Sequence, residues 1–300
     1  MGICEGRIAV VTGAGRGVGR AYALMLAKEG AKVVVNDLGA SASGEGNDVG
    51  PAQEVVNEIV AAGGEAIVNG ADISDWEQSK AMVEQAIDTF GGLDILINNA
   101  GILRDRMMVN LTEQDWDMVM KVHLKGTFAP CHHAANYWRL ESKAGRQRDA
   151  RIINTSSGSG LWGNIGQSNY AAAKAGIASF SIVIARELQR IGVTVNAIAP
   201  RAASRMTDNL GRQVDEETTI RRDPEWVAAL ITFLCSPNAK DITGRVFEGW
   251  GYGFSVAQGW EHGPIMPATR NPAEVEEGLR HILGAARFNQ HFERDVYLNP

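Results

Sequence analysis

The stretch RIAVVTGAGRGVGR, residues 7–20, decides the fold: an apolar run enters a glycine-rich turn and leaves it as the start of a helical pattern. IAVV is apolar at every position, as expected of a strand buried on both faces. Gly13, Gly17 and Gly19 follow at a GxxxGxG spacing, while Val18 holds the last position of the stricter GxGxxG fingerprint. Both spacings meet one requirement: a tight turn, close approach of backbone to a pyrophosphate, and a helix N-terminus aimed at negative charge. Such turns also arise for packing reasons alone, so the neighbouring residues must decide.

Working outward, the runs 31–37 (AKVVVND), 65–70 (EAIVNG), 93–99 (LDILINN), 151–157 (RIINTSS), 193–200 (VTVNAIAP) and 244–250 (GRVFEGW) read as further strands. Helical patterns lie between them, up to Gly30 and across 51–62, 74–90, 113–140, 168–191 and 224–235, the last opened by Asp223 as N-cap and Pro224 in the first turn. Strands alternating with helices predict an α/β fold, a Rossmann-like doubly wound parallel sheet covered on both faces. Residues 201–222 form a polar segment. After Trp250 the chain is rich in glycine and aromatic residues, and then Val275, Leu279, Ile282, Leu283 and Ala286 fit one helical face. We expect a single dinucleotide-binding domain over 1–250 that contains the catalytic site. Residues 251–300 form a C-terminal helical extension packed on the domain or on a second subunit.

The second strand ends at Asp37, eighteen residues after Gly19, near the offset of about 20 at which a carboxylate meets the adenosine ribose. A carboxylate there accepts from ribose hydroxyls and repels a 2′-phosphate, favouring NAD over NADP. Arg16 in the phosphate loop is a competing signal, since a guanidinium assists a 2′-phosphate; leaving that phosphate beside an aspartate is the costlier arrangement, so Asp37 ranks first.

Composition narrows the function classes. The 300-residue chain carries net charge −6, with 45% hydrophobic and 21% charged residues, a globular profile with no basic field for nucleic acid or anionic membrane. Cys4, Cys131 and Cys235 are far apart and form no metal or disulfide pattern, and no metal site is expected. No apolar run approaches the roughly 18 residues of a membrane span, the N-terminus has no basic region followed by a long apolar core, and YLNP at the end is no peroxisomal signal, so the expected location is cytoplasmic.

Four ordered motifs together resemble the short-chain dehydrogenase/reductase family: TGAGRGVG at 12–19, Asp72-Ile73 after the third strand, NNAG at 98–101, and Tyr170-xxx-Lys174. The resemblance covers about Arg7 to Trp250. It implies an NAD-linked oxidoreductase with Ser157, thirteen residues before the tyrosine, holding the substrate oxygen while Lys174 also contacts the nicotinamide ribose. Asn99, Ala100, Gly101, Pro200 and Thr207 are cofactor neighbours by the same implication, and pairing through the helices at 113–140 and 168–191 implies a homodimer or homotetramer. His123 stands in KVHLKGTF where many members have asparagine, and either relays protons or hydrogen-bonds locally.

The chemistry is also readable from the residues. Tyr170 and Lys174 are one helical turn apart and share a face. A free phenol has a pKa of about 10, and a cation about 4 Å away at an effective dielectric near 20 contributes roughly 4 kcal/mol, about three pKa units before solvent reduces it. On that ground Lys174 is expected to make Tyr170 a working acid/base.

Within the family, VVVNDLG, NAGILRDR, VHLKGTF, TSSGSGLWGNIGQSNYAAAK and SRMT resemble the (3R)-hydroxyacyl-CoA dehydrogenase domains of the multifunctional type 2 enzymes. That branch implies a 3-hydroxyacyl-CoA thioester as small-molecule substrate, with 17β-hydroxysteroids as an alternative. Arg104, Arg106, Arg201 and Arg205 are candidates by position for CoA phosphates. Leu161 and Trp162 are read either as lining an acyl pocket or as core.

Overall fold

The computed structural model describes residues 2–46, 48–202, 215–268 and 271–286. Seven strands are parallel: β1 Ile8–Thr12, β2 Lys32–Asn36, β3 Ala66–Asn69, β4 Ile95–Asn98, β5 Ala150–Thr155, β6 Val193–Pro200 and β7 Val246–Trp250. An eighth, β8 Gly253–Val256, closes the order β3-β2-β1-β4-β5-β6-β7-β8.

β1 shows why IAVV, residues 8–11, is apolar at every position. Side chains alternate across the sheet, so Ala9 and Val11 enter the core on one face while Ile8 and Val10 enter that on the other. The first core is closed by α1 (Gly17–Lys28), α2 (Gly50–Ala61) and α9 (Pro224–Cys235); the second by α3 (Trp76–Phe90), α5 (Gly126–Lys143) and α7 (Ser168–Leu188). Strand order reverses between β1 and β4, and a ligand crevice is expected outside the carboxyl ends of strands at such a switch.

Helix ends follow local chemistry. Asp75 accepts from the Gln78 amide at the start of α3, and Gly91 ends that helix at φ 88°. Asp223 accepts from the Glu225 amide at 2.8 Å ahead of Pro224. The stretch read as one helix over 113–140 is α4 (Glu113–Val119), a wider π turn at Met120–Lys125, and α5. His123 lies in that π turn.

Two elements were not legible. The polar segment holds a short helix, α8 (Glu216–Arg221), capped by Asp215. The sheet also continues past Trp250, where Gly251 and Tyr252 turn the chain and β8 pairs antiparallel with β7, Glu248 opposite Ser255. The expected tail helix is present as α10 (Pro272–Ala285), with Leu279 and Leu283 exposed. No described helix is long and apolar enough to cross a membrane.

Candidate active site

The glycine loop is built by close approach. Gly13 has φ +63°, and a Cβ there would lie 2.7 Å from the Ala100 Cα; a Cβ on Gly19 would lie 2.2 Å from the Gly13 carbonyl oxygen. Asn99 is the clamp: its side-chain amide donates to the Thr12 and Gly13 carbonyls at 3.1 Å each, and the Thr12 hydroxyl accepts from the Asn99 and Ala100 amides. Asn99 and Ala100 therefore shape the loop.

Gly17 has φ +54° and opens α1. Unlike α3, α8 and α9, α1 has no side-chain cap and no acidic residue in its first turn. Its first amides are the unsatisfied donors that bind an anion. Arg16 is exposed at the N-cap position, and Val18 is half-buried against the core. Asp37 accepts from the Gly15 amide at 2.9 Å and the Gly39 amide at 2.8 Å. Gly15 belongs to the site although its spacing did not single it out: a Cβ there would come 2.8 Å from the Asp37 carboxylate. The residues fit a dinucleotide.

Asp72 and Ile73 play quieter parts. Asp72 accepts from the Ser74 amide and hydroxyl at 2.9 and 2.6 Å, and Ile73 is 6% exposed in the second core. Pro200 ends β6, partly buried. Thr207 and Arg205 lie outside the described residues. Residues 38–46 are tied to the segment after NNAG, the Leu103 amide donating to the Ala42 carbonyl at 2.9 Å.

Ser157 ends the segment after β5 and caps α6 (Gly158–Trp162), its hydroxyl accepting from the Ser159 amide at 3.2 Å. Ser157 lies close enough to Tyr170 to lower its pKa. Lys174, one turn along α7, is 3% exposed, donates to the Thr155 carbonyl at 2.6 Å, and places Nζ 5.6 Å from the Tyr170 ring centroid. The serine, tyrosine and lysine are thus brought to one end of the sheet by the loop after β5 and the start of α7.

Their ionisation corrects the sequence expectation. In the chain by itself Lys174 does not draw the phenol down: burial pushes Tyr170 up to about 12, outweighing the lowering by the nearby Ser157, and the Asp105 charge adds to the rise. Burial also pushes Lys174 down to about 7. Low dielectric disfavours both charged forms, which an argument from pair distance alone omits.

His123 is 1% exposed; its Nε2 lies 2.8 Å from the Ile102 carbonyl oxygen and 3.2 Å from the Ile102 amide nitrogen, and its Nδ1 has no hydrogen-bond partner among the described residues. Burial, then the Lys174 charge, push its pKa down to about 3. Gly101 is glycine because a Cβ there would sit 2.3 Å from His123 Cε1.

The neighbourhood includes residues the motif reading missed. Gln167 donates to Asp105 at 2.6 Å and accepts from Ser159 Oγ at 2.7 Å and Asn164 at 2.9 Å, tying the 104–106 loop to the catalytic-serine loop. Among the arginines, Arg104 is 15% exposed and committed to the fold through Asp115 and the Ser43 carbonyl. Arg106 pairs with Asp115 at 2.9 Å yet stays 56% exposed. Among the described residues no cluster of His, Cys, Asp or Glu is arranged to hold a metal.

The family pattern for short chain dehydrogenases matches residues 7–217. The chain belongs to the short-chain dehydrogenases. This short-chain dehydrogenase is 45% identical over 257 residues, 86% of its length and 27% of the other, to a peroxisomal hydratase-dehydrogenase-epimerase of Neurospora crassa. It is 44% identical over 256 residues, 82% of its length and 78% of the other, to the hydroxyacyl-CoA dehydrogenase ChsB1 of Mycobacterium tuberculosis. Among solved structures, a short chain dehydrogenase from Mycobacterium avium is 48% identical with TM-score 0.88, covering 98% of this chain and 100% of that one. One from Burkholderia cenocepacia in complex with NADP is 31% identical with TM-score 0.70, covering 82% of this chain and 96% of that one. The chain spans 27% to 53% of the length of three multifunctional peroxisomal relatives. As a short-chain dehydrogenase with a Rossmann-like sheet, it binds a nicotinamide dinucleotide and acts as an oxidoreductase.

Proposed function

We propose that the chain is an NAD-dependent (3R)-hydroxyacyl-CoA dehydrogenase that oxidises the secondary alcohol to 3-oxoacyl-CoA in the breakdown of fatty acids or sterol side chains. The observation that carries the oxidoreductase reading is the Ser157–Tyr170–Lys174 constellation, with Lys174 buried, on the side of the sheet that ends in the glycine loop. The thioester reading rests on the hydroxyacyl-CoA and hydratase-dehydrogenase relatives. When bound, the oxidised dinucleotide supplies the hydride acceptor. Ser157 holds the alcohol oxygen, Tyr170 takes its proton, and Lys174 supplies positive charge beside the phenol and holds the nicotinamide ribose. Because burial opposes the phenolate, Tyr170 works as a base only with the site filled and water displaced by fixed positive charge.

Asp37 supports NAD, its carboxylate being held by two backbone amides at the end of β2 where a 2′-phosphate would meet it. Gly13, Gly17, Val18 and Gly19 form the pyrophosphate turn, with Arg16, Asp72, Ile73, Asn99, Ala100, Gly101 and Pro200 around the cofactor. His123 is given a positioning role, since a residue neutral above about pH 3 carries no proton by titrating near neutrality. Three buried free cysteines suit a reducing compartment, the cytosol. We place the second subunit of a homodimer on the groove between α5 and α7, where Phe128 is 44% exposed beside Phe180 and Ile184; light scattering reads the assembly, and a monomer would refute it. The tail helix, with Leu279 and Leu283 exposed, packs on the domain or on a second subunit.

Initial rates with NAD and NADP on (3R)- and (3S)-hydroxyacyl-CoA of several acyl sizes, beside a free 17β-hydroxysteroid, test the reading. Selective NAD-linked oxidation of the (3R)-thioester is expected. Turnover of the free steroid alone would remove the thioester assignment and leave the oxidoreductase.

A further inference from the structure

A single charged residue stands in the middle of β7. Val246, Glu248 and Trp250 share one face of that strand, and Val246 packs with Leu161 of α6 and Ala178 of α7, so this face looks toward the helices that carry the catalytic residues. Phe247 looks the other way, into the core against α1 and α9. Glu248 is 2% exposed, and a buried carboxylate persists only when its oxygens are satisfied.

The donors come from three separate parts of the chain. Oε1 accepts from Trp162 Nε1 at 3.2 Å and from Arg201 Nη2 at 3.2 Å, and Oε2 lies 3.5 Å from the Ser255 hydroxyl. Trp162 is the last residue of the helix that Ser157 caps, Arg201 directly follows the carboxyl end of β6, and Ser255 belongs to β8. Arg201 is fixed further by its amide, which donates to the Gly249 carbonyl at 3.0 Å, and by its guanidinium, 4.9 Å from the Trp250 ring. Leu161 packs against the cluster of Ala178, Ala197 and Val246, whereas its neighbour Trp162 is held by a polar bond.

We infer that Glu248 is a positioning residue for substrate: one buried carboxylate fixes the Trp162 indole, from the catalytic-serine side, and the Arg201 guanidinium, from the β6 side, as the walls between which the alcohol's carbon chain is seated. It touches neither the reacting atoms nor the glycine loop. This use of the site rests on the oxidoreductase reading above, and it extends that reading to the acyl end of the pocket and to β8. Substrate binding should therefore respond to Glu248 while hydride transfer from a fully bound complex does not.

The test compares Glu248→Gln and Trp162→Phe, singly and together, with wild type on whichever secondary alcohol of the panel wild type turns over fastest. Wild-type preference tests the functional reading; the ratio of variant to wild type tests Glu248. Glu248→Gln is expected to raise KM about tenfold with kcat within about threefold and NADH affinity unchanged, since only an interaction shared by ground and transition states is lost. Trp162→Phe keeps the ring and removes the donor, and is expected to reproduce part of that rise. The double variant should then show less than the product of the single effects. If Glu248→Gln folds poorly, Trp162→Phe alone decides. An unchanged KM in Trp162→Phe, or a loss confined to kcat, would overturn the proposal.

Discussion

The His123 ring stands edge-on to the Tyr170 phenol, 5.1 Å between centroids and 89° between planes. The histidine lies within contact of the acid/base yet is held neutral, because burial and Lys174 together push its pKa down to about 3. Only Lys174, pushed down to about 7, titrates near neutrality in this group. We expect a limb near pH 7 in kcat/KM for alcohol oxidation, falling as Lys174 loses the charge that supports the Tyr170 phenolate, that persists in His123→Asn. A limb that disappears in that variant would assign it to the histidine instead.

Replacing Tyr170 by Phe removes the proton acceptor and leaves the ring that packs against the cluster of Ile102, Val119 and Ala173. Turnover should fall by about 10²–10⁴, the range of a general base, while NADH affinity measured by fluorescence changes little. Unchanged turnover would remove Tyr170 from the mechanism.

Lys174→Met is expected to abolish turnover and raise the stability of the cofactor-free protein. A lysine whose folded pKa is about 7 against an unfolded 10.5 binds more protons when unfolded, so between those values wild-type stability rises with pH. The variant should lose that slope and gain about 1–2 kcal/mol at pH 7, allowing for the lost bond to Thr155. Urea unfolding at pH 7 and 9.5 measures both; equal slopes in the two proteins would contradict the buried-amine argument.

Asp37→Ala should lower the NAD:NADP ratio of kcat/KM by about tenfold or more, by removing a carboxylate that repels a 2′-phosphate. The loss of its bonds to the Gly15 and Gly39 amides should also loosen the turn, so KM for NAD rises as well. A ratio that does not move would place cofactor choice elsewhere.

Gly101→Ala puts a methyl 2.3 Å from His123 Cε1, an overlap that one of them must relieve. A destabilisation of about 1–3 kcal/mol is expected, recovered in part by His123→Ala in the same chain. Additive effects in thermal unfolding would show that the two do not press on each other.

The sequence by itself determined the strands, because Ile8–Thr12 and Ile95–Asn98 are apolar on both faces and could only be central. It also determined the dinucleotide turn and the Tyr170–Lys174 pair, since helical spacing and glycine geometry are local and act over one or two turns. Tertiary structure decided the rest. Which donors satisfy Glu248, why Gly101 is glycine, how β8 returns along β7, and that Lys174 and Tyr170 are pushed toward their neutral forms all depend on residues brought together from distant parts of the chain. Burial sets those ionisations, and burial is a property of the packed molecule that no spacing records.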